Sequence, residues 1–156
     1  MCIRDSHIGV PLTLLELNEK HELAIVEMGA NHLNEIYQLC QIAKPDYGLI
    51  TNIGKAHLEG FGSLDGVKKG KGELFNYLKE EGGTIFFNGE DEKLEDLVSD
   101  YETSLKYFPS GLIPFLSDKG LLSFMWNEIE VFTNLTGEYN LYNLSLIHIS
   151  EPTRPY

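Results

Sequence analysis

Two short apolar runs with a helical pattern between them constrain this chain more than any other feature. Residues 23–28 (LAIVEM) and 46–51 (DYGLIT) are continuous apolar stretches of strand length. Such a run suits a strand buried on both faces, because neither side can be given to water. Between them, residues 34–43 (NEIYQLCQIA) set Ile36, Leu39, Cys40 and Ala43 three and four positions apart, one face of a helix, with Asn34 as its N-cap and Lys44-Pro45 as its stop. Parallel strands need a long connection, so strand, helix and strand together predict a crossover unit of an α/β sheet.

The remaining pattern extends that architecture. Residues 8–17 (IGVPLTLLEL) read as a loop and then a helix opening at Pro11, where a missing N–H is tolerated. Residues 64–80 restore helical spacing through Val67, Leu74, Phe75 and Leu78, and Gly82-Gly83 closes the helix in a left-handed cap. Residues 84–88 (TIFFN) give a further strand, 90–100 an acidic helix, 105–108 (LKYF) another strand, and 121–133 a hairpin turning at Asn127-Glu128. GEYNLYN, residues 137–143, opens a last helix. The expected fold class is α/β, a mostly parallel sheet flanked by helices with a late antiparallel hairpin. Phe86, Phe87, Tyr107, Phe108, Phe124 and Trp126 are assigned to core packing.

A chain of 156 residues is long enough for one such domain. Residues 1–6 and 146–156 continue no periodicity and read as non-native, adapter-like tails, which leaves 7–145 as the domain. No apolar stretch approaches the roughly 20 residues that cross a bilayer, and no secretory leader opens the chain, so a cytoplasmic location is expected. Cys2 and Cys40 lack any metal-ligand spacing, and no disulfide is expected between them.

Twelve basic against twenty-four acidic residues leave a net charge of −12. That opposes binding to nucleic acid phosphate. It also disfavours an anionic nucleotide unless a cation and local backbone amides receive it.

In an open parallel sheet, ligands bind where the carboxyl ends of the strands gather. Glu27 ends the first expected strand and Asn52 the second, with His57 in the loop that follows. A carboxylate and an imidazole brought to one edge could share a divalent cation, although each alone is more often a surface or structural residue. Gly29, in EMGAN, lets the chain turn sharply there and brings backbone amides close to a ligand. Lys68, Lys69 and Lys71 open the next helix; spacing favours a solvated face with Lys69 and Glu73 paired, and the sharper alternative points one lysine back to the edge. Asn140 and Asn143 suit either a purine edge or simple helix capping, and pattern alone favours capping.

Five blocks in this order, IGVPLTLL, EMGANHLNEI, TNIGKAHLEGFGS, KGKGELF and GEYNLYN, resemble the central ATP-binding domain of the Mur ligases over residues 7–145. GANH and AHLEGFGS resemble the branch that joins D-alanyl-D-alanine to UDP-N-acetylmuramoyl-tripeptide in peptidoglycan precursor synthesis. The resemblance implies an ATP- and Mg2+-dependent amide ligase, its parent a monomer, acting through an acyl phosphate. It implies Glu27 and His57 as magnesium ligands, Lys71 as a carbamylated lysine, Asn52 at the phosphate end, and Asn140 or Asn143 against adenine. The departures are as informative. No G-x-x-x-x-G-K-[ST] loop occurs in these residues, and Asn34 stands where the family usually has glycine. The chain alone is therefore expected to have little or no activity. Two other readings stand beside this one: a sibling or folylpolyglutamate-type ligase, and a non-catalytic nucleotide-binding module with Glu27 and His57 as surface residues.

Overall fold

The structure is a computed structural model that describes residues 6–54, 58–99, 101–107, 112–117, 120–126, 128–137 and 139–145. From the amino end the elements are α1 (Gly9–Leu15), α2 (Glu35–Ala43), β1 (Tyr47–Leu49), α3 (Leu58–Phe61), α4 (Leu64–Glu81) and β2 (Thr84–Asn88). They continue as α5 (Glu92–Val98), β3 (Ser104–Tyr107), β4 (Ile113–Leu116), β5 (Leu122–Trp126), β6 (Ile129–Phe132) and α6 (Tyr139–Ser145). The strands form two sheets. One is parallel in the order β1-β2-β3 and the other antiparallel in the order β4-β5-β6.

Alternation along β2 decides how the parallel sheet is covered. Ile85 and Phe87 are 0% exposed and pack against Val67, Phe75 and Leu78 of α4 and Leu94 and Val98 of α5. Residues of the other parity line up across the strands, Leu49 beside Phe86 beside Leu105. That row is open: Leu105 is 52% exposed and nearby Tyr47 62%. Helix α4 itself is well delimited. Ser63 caps its start by accepting the Gly66 N–H at 3.0 Å, and Gly82 ends it at φ 75° in the left-handed cap the sequence predicts. At the amino half of α4 a Cβ on Gly66 would meet the carbonyl of Phe61, and one on Gly70 would meet the Phe61 ring, so α3 lies tight against the helix because those positions have no side chain.

The strand expected at 23–28 is absent. The segment has no regular secondary structure, with Val26, Met28 and Ala30 packed against Val10, Leu39 and Cys40, and it pairs with no described strand. Leu23 (72% exposed) and Ile25 (87%) point outward. Apolar content reports that a segment is suited to burial; a strand also requires a neighbour for its N–H and C=O groups, and no described strand offers one.

The late hairpin is present as β5 and β6, with Glu128 at φ 66° in its turn, while Asn127 lies outside the described residues. The sequence reading missed β4, which makes this a three-stranded sheet. Leu122, Phe124 and Val131 pack on Leu141 and Leu144 of α6. The aromatic core is thus divided: Phe87 serves the parallel unit, Phe124 the antiparallel one, and Phe86 lies on the open row. Phe108 lies outside the described residues. Cys40 is buried as a free thiol, and Cys2 lies outside the described residues. Among the described residues no helix is long and apolar enough to cross a membrane.

Candidate functional site

At the carboxyl end of β1 the chain is pinned from below. Ile50 and Ile53 are buried in the core, which turns Thr51 and Asn52 outward. Lys71 reaches this turn from α4: its Nζ donates to the Asn52 carbonyl at 2.7 Å. Lys93, in the first turn of α5, donates to the adjacent Ile53 carbonyl at 3.4 Å. Two lysines from two helices therefore converge on two successive carbonyls.

The three lysines in the amino half of α4 separate by position. Lys68 pairs with Asp96 at 2.9 Å and Lys69 is exposed, as a solvated face requires. Lys71 differs because it continues the stripe Val67, Lys71, Phe75, Leu78, the helix face that meets the sheet. Burial there lowers its pKa below the usual lysine value.

The expected Lys69–Glu73 pair does not form. Glu73 turns inward to the start of α2, where its two oxygens accept the Asn34 N–H at 2.5 Å and the Tyr37 N–H at 3.1 Å. Asn34 is likewise not a side-chain cap. It sits at φ 69° with no cap hydrogen bond, a left-handed conformation that favours glycine first and asparagine next. One turn earlier, the Glu35 carboxylate accepts the N–H groups of Asn31 (2.7 Å) and His32 (3.1 Å), and the Asn31 bond holds its pKa below the usual carboxylate value.

The other sequence candidates fall as follows. Glu27 is exposed on this unpaired segment, as are Leu23 and Ile25. His57 lies outside the described residues, and with it the expected Glu27–His57 pairing. Among the described residues no three acidic, histidine or cysteine side chains gather as a metal cluster. Asn140 donates from its side-chain amide to the Thr136 carbonyl at 2.8 Å, a local bond at the start of α6 that differs from an N-cap, in which the side-chain oxygen would accept a helix N–H. Asn143 is exposed on the same helix. The structure thus joins Lys71 to Asn52 and places Asn140 and Asn143 on the helix of the small sheet. Glu73 and Lys93 were missed as candidates; for Glu73 the signal was its place between Gly72 and Leu74 on an otherwise inward-facing stretch.

The model of the Mur ligase middle domain matches residues 4–148. The chain belongs to that family. It is 36% identical over 160 residues to the UDP-N-acetylmuramoyl-tripeptide--D-alanyl-D-alanine ligase of Haemophilus influenzae, covering 89% of this chain and 32% of that protein. Among solved structures it matches MurF from Acinetobacter baumannii with a TM-score of 0.73 at 27% identity, over 93% of this chain and 34% of that one. It also matches the MurF ligase from Thermotoga maritima, solved in complex with ADP, with a TM-score of 0.70 at 25% identity, over 94% of this chain and 38% of that one. This Mur ligase middle domain spans about a third of the length of the relatives it matches. The family and the α/β fold class are those the five sequence blocks implied.

Proposed function

We propose that this domain is the ATP-binding part of a ligase that joins D-alanyl-D-alanine to UDP-N-acetylmuramoyl-tripeptide in the cytoplasm, working as a monomer and handling no nucleic acid. The carrying observation is the Lys71–Asn52 contact, which brings a desolvated lysine to the ligand-binding edge of a parallel sheet. The family match over residues 4–148 and the naming of its relatives support the substrates. The ADP complex of the Thermotoga maritima relative supports the nucleotide.

In this reading a substrate carboxylate oxygen attacks the γ-phosphorus of ATP and ADP leaves. The amine of the dipeptide then attacks the acyl carbon, phosphate leaves, and an amide remains. Magnesium suits Glu27: a hard cation takes oxygen donors, and Glu27 is an exposed carboxylate. Glu27 and His57 would hold the ion, which when bound offsets charge on the transferring phosphoryl group. Lys71 has the character a carbamate needs. Only the neutral amine adds to carbon dioxide, losing a proton to form R–NH–COO−, and burial favours the neutral amine. Asn52 would line the phosphate end, and Asn140 or Asn143 the adenine. The tails, 1–6 and 146–156, are read as foreign to the domain, 7–145.

The test is a chimera in which residues 7–145 replace the matching third of the Haemophilus influenzae ligase. Phosphate release that depends on ATP, tripeptide precursor and D-alanyl-D-alanine is expected, and Lys71→Met should lower it on the order of 100-fold. The 156-residue chain alone should show no turnover. Release that requires a different amino acid would favour a sibling ligase. Nucleotide binding with no release for any amine would favour a non-catalytic module.

A further inference from the structure

Helix α4 holds two loops at once. Two residues apart on it, Lys71 reaches the turn after β1 and Glu73 reaches the turn before α2. Glu73 is only 9% exposed, and its carboxylate occupies the positive end of α2, satisfying two N–H groups that a helix start leaves without partners in the helix. The same stripe continues along α4. Tyr77 meets the Tyr37 ring edge-on at 5.8 Å, and Glu80 accepts the Tyr37 hydroxyl at 2.6 Å. The start of α2 is therefore gripped at successive turns of α4. The turn just before it is closed separately by Glu35 on Asn31 and His32, and by Gly60, where a Cβ would meet the Asn31 carbonyl.

We propose that Glu73 is a positioning residue: by fixing the start of α2, it sets the segment just upstream, which includes Glu27, at a fixed offset from Lys71 and Asn52, with α4 as the strut between them. This rests on the reading that Glu27 and Lys71 serve one ligand. Glu73 touches neither substrate nor cofactor; it acts through the backbone of Asn34 and Tyr37. A glutamate with a purely structural role would alter the unfolding midpoint and leave the two loops responding together to a ligand. A positioning glutamate separates them.

The test uses the isotope-labelled full chain with Mn2+ alone as the probe, read by amide exchange and by paramagnetic broadening. In the unmodified chain, Mn2+ should broaden amides 26–30 and 51–54 together. In Glu73→Ala the Asn34 and Tyr37 amides should exchange about tenfold faster, and broadening should fall at 26–30 while persisting at 51–54. Glu73→Gln keeps one acceptor oxygen and should lie between; it carries the test if the alanine variant fails to fold. Glu80→Ala removes the other polar tie to Tyr37 and should leave the broadening pattern unchanged. Equal broadening of both segments in a folded Glu73→Ala chain would overturn the positioning role and leave the proposed function standing. No Mn2+ response at either segment of the unmodified chain would overturn the shared-ligand reading, and the inference with it.

Discussion

One face of the parallel sheet is sealed and the other is open, although the strands are apolar on both. Ile85 and Phe87 lie fully buried under α4 and α5, whereas Leu49, Phe86 and Leu105 form a row on the opposite side beside exposed Tyr47. Parallel strands are ordinarily covered on both sides. The difference teaches that strand composition records how much cover a sheet needs, while the elements that provide it are specified elsewhere.

The largest break of this comparison would come from paired truncations on the two faces. Phe87→Ala should cost about 3–5 kcal/mol, a large buried ring removed from a packed core, while Leu105→Ala should stay within about 1 kcal/mol. Urea denaturation measures both, and equal costs would erase the distinction. Alkali should sharpen it next, through groups held in the interior. Burial, with the charge of Glu73 adding, pushes the Cys40 thiol up to about 12, and burial, with Asp91 adding, pushes the Tyr107 phenol up to about 12. Both folded values exceed the unfolded ones, roughly 8.5 and 10. Their contribution is therefore whole below those unfolded values and is lost as pH climbs toward 12. The urea midpoint should fall across that window, and Cys40→Ala with Tyr107→Phe should flatten the fall. A smaller effect is expected where the covering helix ends: Gly82→Ala at φ 75° should lower stability by about 1–2 kcal/mol. Smallest of all, Leu49→Lys with Leu105→Glu should reduce binding of a hydrophobic dye with little change in melting temperature, since neither side chain is buried.

What the sequence disclosed depended on whether the signal was local. Strand β2 is legible to the residue because Gly82-Gly83 and Asn88-Gly89 bound TIFFN. Helix α4 is legible from its apolar stripe and its glycine cap. The stretch 23–28 misleads because pairing is a property of two segments, and β4 hides because it is four residues long and contains Pro114. At the candidate site, Lys71 and Lys69 look alike by charge; the stripe through Val67 and Phe75 separates them. Glu73 is misread as a surface partner because i, i+4 spacing says nothing about which side of a helix is buried.

The two glycines of α4 that admit Phe61 have a mechanical side. Each lowers helix propensity by about 1 kcal/mol relative to alanine, and both fall in the amino half, just ahead of Lys71. That half stays wound through what leans on it more than through its own residues. Prising Phe61 away would let the first turns fray, and the lysine would lose its aim before the core had loosened at all.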